Sequence, residues 1–253
     1  MNPVLEVKNL GIDFGGLTAV NNLDLEVYPN EIVGLIGPNG AGKTTVFNML
    51  TKVYEPTRGQ MFLDGENIEK MNTVDVNKAG VARTFQNIRL FSKLSVIDNV
   101  KAGMNNLYDY SLFDTIFHTR KRNEKERQIE EEARKLLEIF NLVELKDTEA
   151  SALPYGAQRR LEIARALATQ PKVLLLDEPA AGMNPQETED LMKTIRFVRD
   201  EFNIAILLIE HDMSLVMNIC ERIYVLNYGT LLAKGSPDEI KNDERVIKAY
   251  LGD

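Results

Sequence analysis

The chain has 253 residues, of which 44% are hydrophobic and 27% are charged, with a formal net charge of −8 at pH 7. This composition is typical of a globular protein. The net negative charge argues against non-specific electrostatic binding of nucleic acid. The single cysteine, Cys220, excludes an internal disulfide and a cysteine metal cluster; a buried, inert thiol is expected. No apolar run is long enough to span a bilayer and no signal peptide is recognisable, so we expect a cytosolic protein that reaches the membrane through a partner.

The first part of the chain, to about residue 85, is typical of strands around one helix. Residues 5–7 and 23–27 alternate apolar and polar side chains, as half-buried strands do. Residues 32–36 are apolar on both faces, which favours a central parallel strand. The pair Asp64-Gly65 follows an apolar run and predicts a hairpin turn. We therefore expect an antiparallel β subdomain beside the start of a parallel sheet.

A glycine-rich loop follows the strand at residues 32–36. Residues 37–44 read Gly-Pro-Asn-Gly-Ala-Gly-Lys-Thr and fit the pattern G-x-x-x-x-G-K-[ST]. Glycines permit the tight turn in which several N–H groups point at one anion, and the helix that begins near Lys43 adds its dipole. Lys43 is expected on the β- and γ-phosphates of a nucleotide, and the Thr44 hydroxyl on Mg²⁺. The predicted nucleotide-binding residues of this loop are Gly37, Pro38, Asn39, Gly40, Ala41, Gly42, Lys43, Thr44 and Thr45.

The middle of the chain, from about residue 87 to 165, is typical of helices. Across residues 125–140 the apolar side chains recur on one face, and Glu, Arg and Lys fill the other. The basic run at residues 118–122 is interpreted as a solvated loop, with lipid headgroups or nucleic acid as alternative contacts. This stretch predicts an α-helical insertion into an α/β core.

The last part of the chain returns to alternating strands and helices. Apolar strands are predicted at residues 172–177, 204–209 and 222–226, with helices at 186–201 and 213–220 between them. This βαβ pattern predicts a parallel sheet covered by helices.

Three polar side chains follow two of these strands. Asp177 and Glu178 come directly after a buried strand, where ligands gather in open α/β sheets. Asp177 is suited to hold Mg²⁺, directly or through water, and Glu178 to accept a proton from an attacking water. His211, just past the strand at 204–209, is placed to hold that water; the alternative is a hydrogen-bonded loop histidine.

Residues 153–167 begin Leu-Pro-Tyr-Gly-Ala-Gln and resemble the signature segment of ATP-binding cassette (ABC) ATPases, which begins L-S-G-G-Q. With the loop at 37–44, Gln86, the pair at 177–178 and His211 in the same order, the resemblance covers essentially the whole chain. It implies a single α/β domain with a P-loop NTPase core, whose mostly parallel sheet is flanked by helices. Residues 1–86 and 166–235 would form the core, 87–165 the helical subdomain with the signature, and 236–253 a helical tail.

Cassettes of this family work as head-to-tail dimers, with each ATP between the phosphate loop of one subunit and the signature of the other. Gly156 falls at a helix start, so its N–H and the helix dipole would meet the partner's γ-phosphate. Pro154, Tyr155 and Ala157 replace the family's serine, glycine and glutamine, so contact would rest on backbone N–H groups. The resemblance makes Tyr155 and Gly156 nucleotide-binding candidates.

Further site residues follow from the resemblance. Gln86 matches the glutamine that contacts Mg²⁺ and senses the transmembrane partner; an exposed loop amide is the alternative. Phe14 matches the aromatic residue that stacks on adenine, although a core phenylalanine is the alternative, and Val20 would pad the nucleotide from the same side. Asn184 replaces an aspartate of the loop that couples the two subunits. The implied catalytic residues are Glu178, His211 and Lys43, and the implied metal ligands are Thr44, Gln86 and Asp177.

Within the family the chain is most similar to the ATPase of bacterial branched-chain amino-acid importers. The segments that carry this likeness are residues 14–20, 82–91, 153–160, 180–185 and 243–252. It implies Mg²⁺-dependent ATP hydrolysis that drives solute uptake at the cytoplasmic face of the membrane. Implied partners are a second cassette, identical or homologous, permease subunits and, indirectly, a solute-binding protein, with no nucleic acid. Alternatives are a cassette for urea or amides, one that extracts lipopolysaccharide, a cassette acting on nucleic acid or ribosomes, and a regulator without hydrolysis.

Overall fold

The structure is a computed structural model that describes residues 2–106 and 120–251. The chain folds into two compact units, Met1–Gln86 with Lys172–Asp253, and Asn87–Pro171. Residues 118 and 119 of the predicted solvated loop at 118–122 lie outside the described residues, whereas residues 120–122 belong to the helix Arg120–Ile139, so the loop prediction is wrong for them. In the described part, no helix is both long and apolar enough to cross a membrane.

The strands that the structure describes all belong to the first unit. In chain order they are β1 (Leu5–Phe14), β2 (Leu17–Val27), β3 (Ile32–Ile36), β4 (Arg58–Leu63), β5 (Glu66–Asn67), β6 (Val81–Arg83), β7 (Val173–Asp177), β8 (Ala205–Ile209), β9 (Arg222–Asn227) and β10 (Thr230–Gly235). The helices are α1 (Lys43–Leu50), α2 (Thr73–Ala79), α3 (Val96–Gly103), α4 (Arg120–Ile139), α5 (Tyr155–Leu167), α6 (Pro185–Phe202), α7 (Met213–Ile219), α8 (Pro237–Lys241) and α9 (Glu244–Leu251).

The smaller sheet is antiparallel and has the order β2-β1-β4-β5. Leu5 of β1 lies opposite Val27 of β2 on one side and Leu63 of β4 on the other. The hairpin between β4 and β5 turns at Asp64 and Gly65, both of which have positive φ, as a tight two-residue turn requires. This confirms the predicted hairpin and the antiparallel strands before it.

The larger sheet has the order β10-β9-β3-β8-β7-β6. Its pairings from β9 to β6 are parallel, and β10 joins β9 in antiparallel fashion. Every residue of β3, β7 and β8 is buried, because both faces of these strands are covered. The mixed α/β fold class and the central place of β3 are confirmed. Since parallel strands end at one edge, the loops after β3, β7 and β8 meet there.

The second unit is helical among its described residues. The predicted apolar face of α4 and the residue after it is buried, comprising Ile129, Ala133, Leu136, Leu137 and Phe140. Arg159 of α5 is fully buried and its Nη1 donates to Glu162 at 2.9 Å. The Glu162 carboxylate also accepts from the backbone N–H of Arg89 at 3.0 Å. This pair fixes the chain entering the unit to the helix that carries the signature segment.

Candidate nucleotide-binding site

The glycine-rich loop connects β3 to α1 and has a backbone that only glycine accommodates at two positions. Gly37 has φ of 150° and Gly42 has φ of 103°. A Cβ at Gly37 would lie 2.1 Å from the Leu226 carbonyl oxygen, and one at Gly42 would lie 2.8 Å from the Ala19 carbonyl oxygen. Gly42 also caps α1 without any side-chain acceptor, so the first N–H groups of the helix are left for an anion.

Lys43, at the start of α1, is 6% exposed and turns back onto the loop. Its Nζ donates to the carbonyl oxygens of Gly37 at 2.7 Å and Pro38 at 2.9 Å. Burial lowers the pKa of the Lys43 ammonium, and the charges of Glu178 and Asp177 partly offset that effect. A phosphate in the loop would supply the missing counter-charge and favour the protonated amine.

A cavity of about 440 Å³ opens over this loop, a volume within the range of small-molecule sites. The residues that line it are Leu17, Thr18, Ala19, Asn39, Gly40, Ala41, Gly42, Lys43, Thr44, Thr45, Glu178, His211 and Tyr228. The cavity therefore brings together the predicted phosphate loop, the predicted base and the predicted histidine.

Glu178 directly follows β7 and is the centre of a polar cluster at the cavity. Its Oε1 lies 2.9 Å from the Nε2 of His211, and its Oε2 accepts a hydrogen bond from the Nε2 of Gln86 at 2.7 Å. Glu178 has φ of 48°, a left-handed conformation that is uncommon outside glycine and asparagine and is found preferentially at functional sites. Three residues predicted from separate parts of the sequence thus form one hydrogen-bonded cluster with Glu178 at its centre.

Asp177, the last residue of β7 and the neighbour of Glu178 in the chain, is buried. Its Oδ2 accepts a hydrogen bond of 2.7 Å from Nη2 of Arg83, and neither side chain is more than 5% exposed. The sequence reasoning did not identify Arg83. No spacing rule could have found it, because the two residues are 94 positions apart and meet only through the pairing of β6 with β7.

The residues predicted to hold Mg²⁺ fit that ion when it is shared with a nucleotide. In the described part of the chain, no cluster of three or more His, Cys, Asp or Glu side chains is arranged to hold a metal ion. Mg²⁺ is commonly bound by one or two oxygen ligands of the protein together with waters and substrate phosphates. The Thr44 hydroxyl, the Asp177 carboxylate and the Gln86 amide supply oxygen donors of that kind.

The two residues predicted near the base of the nucleotide lie in different environments. Phe14 is 44% exposed and packs edge to face against Tyr54, with 5.3 Å between ring centroids, so the alternative of a core phenylalanine is wrong. Val20 is fully buried and packs under Gly42, so its side chain faces the core and does not line the cavity. Thr18 and Ala19 line it instead. Tyr228, which sequence reasoning missed, also borders the cavity and is 88% exposed.

The predicted signature residues belong to the second unit. Tyr155 is 46% exposed and begins α5, and Gly156 is buried in its first turn. Pro154 occupies the N-cap, and no side chain caps the helix there. By contrast, Asn184 caps α6 in a capping box with Glu187, so the asparagine that replaces the family's aspartate has a structural role.

Comparisons with known proteins agree with this arrangement. A family model described as ABC transporter matches residues 20–181, and one described as branched-chain amino acid ATP-binding cassette transporter matches residues 230–253. The chain is 49% identical over 251 residues to the high-affinity branched-chain amino acid transport ATP-binding protein LivG of Escherichia coli, covering 99% of this chain and 98% of that protein. It is 36% identical over 249 residues to the lipopolysaccharide export system ATP-binding protein LptB of Escherichia coli, covering 98% of this chain and 97% of that protein.

A comparison with a solved structure agrees with the family assignment at the level of the fold. The crystal structure of the ADP conformation of an ATP-binding cassette of an ABC transporter matches with a TM-score of 0.86 and 28% identity, over 100% of both chains. The resemblance inferred from the motifs is confirmed. The chain therefore belongs to the ABC transporter family, of which it is an ATP-binding cassette.

Proposed function

We propose that this cassette hydrolyses ATP with Mg²⁺ and that hydrolysis drives solute uptake through permease subunits. The observation that supports the chemistry best is the Glu178 carboxylate, held between His211 and Gln86 where it borders the phosphate-loop cavity. A carboxylate so oriented is suited to take a proton from a water molecule rather than to serve only as a strand cap.

The positions of these groups support the following reaction. A water beside Glu178 attacks the γ-phosphorus, its proton passes to the Glu178 carboxylate, and the bond to the β–γ bridging oxygen breaks to release ADP. His211 holds the carboxylate and the water in line. Lys43 and the N–H groups of the loop neutralise charge on the transferring phosphoryl group. Thr44, Asp177 and Gln86 are the residues that would hold Mg²⁺, which would supply positive charge to offset that of the phosphates.

The proposal includes a dimer and a membrane partner. ATP would lie between the phosphate loop of one cassette and the first turn of α5 in a second, identical or homologous, cassette. The uncapped N-terminus of α5 at Pro154 and Gly156 supports this, because its N–H groups have no side-chain acceptor. We place the assembly at the cytoplasmic face of the membrane, with permease subunits and a solute-binding protein. We also retain the division into core (1–86, 166–235), helical subdomain (87–165) and tail (236–253).

Branched-chain amino acids are the solutes that the comparisons favour. Both the LivG likeness and the match at the C-terminal residues point to that class. Lipopolysaccharide extraction is the second candidate, favoured by the likeness to LptB at lower identity.

Reconstitution decides between these two solutes. The cassette is assembled with its co-purifying permease subunits in proteoliposomes, and uptake of labelled leucine is measured with and without ATP and a solute-binding protein. Import predicts ATP-dependent accumulation of leucine and no release of lipopolysaccharide from loaded vesicles. Lipopolysaccharide release without leucine uptake would overturn the assignment.

A further inference from the structure

Arg83, the last residue of β6, makes contacts that no role above explains. Its Nη2 donates to Asp177 Oδ2 at 2.7 Å, and its Nη1 donates to the Oδ1 of Asn48 at 2.7 Å. The guanidinium also lies over the rings of Phe47 and Phe85, at 5.5 and 5.1 Å from the centroids. The side chain is 5% exposed, so these contacts are made away from water.

These contacts connect helix α1 to the end of strand β7. Both elements carry residues that are expected to contact the bound nucleotide and its metal ion. Asn48 and Phe47 belong to α1, the helix that begins with Lys43 and carries Thr44. Asp177 is the last residue of β7. One guanidinium therefore sets the carboxylate at a fixed position relative to the helix that presents the Thr44 hydroxyl.

The pairing also decides which atoms of Asp177 remain for another ligand. Arg83 occupies Oδ2 and compensates the buried negative charge of the carboxylate, which leaves Oδ1 for another ligand. A metal held by such a carboxylate would be bound through one oxygen. Outer partners of this kind orient metal ligands, and their removal typically weakens metal affinity by roughly 10- to 100-fold.

We propose that Arg83 is a positioning residue for Mg²⁺ at the Asp177 carboxylate. The inference rests on the proposed function, in which Asp177 and Thr44 hold the ion with the nucleotide.

The chain contains a matched control, Arg222 at the start of β9. Its Nη2 donates to Glu31 at 2.8 Å, and its guanidinium lies 5.0 and 5.5 Å from the ring centroids of Tyr28 and Tyr224. The Nε of Arg222, like the Nε of Arg83, lacks a hydrogen-bond partner among the described residues. Arg222 lies at the amino end of a strand, whereas Arg83 lies at the carboxyl end of its strand, where the site is. The two arginines thus share their local chemistry and differ in their place relative to Asp177.

The test is a titration of Mg²⁺ in the presence of a fluorescent, non-hydrolysable ATP analogue, with binding as the readout. For Arg83→Met, the Mg²⁺ concentration at half-maximal binding should rise about 10- to 100-fold, while binding in EDTA stays as in the wild type. Arg222→Met should lower the melting temperature to a similar degree but leave the Mg²⁺ midpoint within about twofold of the wild type.

The outcomes separate this inference from the proposed function. A wild-type protein whose nucleotide binding ignores Mg²⁺ would contradict the proposed function itself. A wild-type midpoint in folded Arg83→Met, or an equal shift in Arg222→Met, would overturn the role of Arg83 alone. If Arg83→Met does not fold, Arg83→Lys serves as the test, because lysine keeps the positive charge but cannot donate to Asp177 and Asn48 from two separate nitrogens. The Mg²⁺ concentration at half-maximal binding should then lie between the values for the wild type and for a full loss of the contact. A wild-type Mg²⁺ midpoint in Arg83→Lys would contradict the proposal.

Discussion

Replacing Gly37 with alanine should damage the phosphate loop far more than the same change at Gly40. Both residues have positive φ, 150° and 78°, so alanine is strained at either position. A Cβ at Gly37 would lie 2.1 Å from the Leu226 carbonyl oxygen, whereas a Cβ at Gly40 meets nothing within 4 Å. The two variants thus share backbone strain and differ in a single steric clash with the backbone of β9.

The size of the difference follows from these distances. Strained φ costs about 1–2 kcal/mol at Gly40, and that is the whole effect expected there. At Gly37 the strain of about 1–3 kcal/mol is joined by overpacking of about 1–3 kcal/mol, because the loop and β9 must separate by about 1 Å to reach a tolerable contact. Gly37→Ala should therefore lower the free energy of unfolding by about 2–6 kcal/mol, a large share of the stability of a typical domain.

Urea unfolding of both variants and the wild type measures these values, and binding of a fluorescent ATP analogue reports on the loop. Gly37→Ala is expected to lose both stability and nucleotide affinity, with Gly40→Ala intermediate. Equal destabilisation of the two variants would refute the reasoning, because the clash with β9 would then contribute nothing.

Two further predictions concern other parts of the chain. Gly156→Asp adds bulk and negative charge to the first turn of α5, so ATP-driven dimerisation of a hydrolysis-deficient protein should disappear in light scattering; a normal dimer would contradict the role given to that turn. Cys220 is 6% exposed, and burial raises the pKa of its thiol. The folded protein should therefore resist a thiol reagent such as DTNB at pH 8 and react stoichiometrically in urea, whereas equal rates in both conditions would show that the thiol is accessible.

Sequence reasoning predicted the features that depend on local pattern. The fully buried β3, β7 and β8, the turn at Asp64 and the buried face of α4 follow from periodicity and turn chemistry. The placement of Glu178 near His211 followed from a topological rule, because both residues come just after parallel strands that end at one edge of the sheet.

The rest depends on packing that a linear pattern does not record. The Arg83 pair exists because β6 joins β7 at the sheet edge, and nothing near Arg83 in sequence signals a buried cation. The place of Val20 in a motif predicts a position at the cavity, but its side chain is fully buried in the hydrophobic core. Tyr228 borders the cavity because its turn is tied to the phosphate loop by the hydrogen bond from Gly229 N–H to the Ala41 carbonyl oxygen.

Glu178→Gln tests most directly whether Glu178 activates the water that cleaves ATP. The neutral amide retains the shape of the side chain but is a far poorer proton acceptor, so phosphate release with Mg²⁺ and ATP should fall by roughly 10²- to 10⁴-fold. Equilibrium binding of the fluorescent analogue should remain within about twofold of the wild type, because the phosphate loop is unchanged. Phosphate release at the wild-type rate in a folded, nucleotide-binding Glu178→Gln protein would contradict the account, since another group would then have to serve as the base.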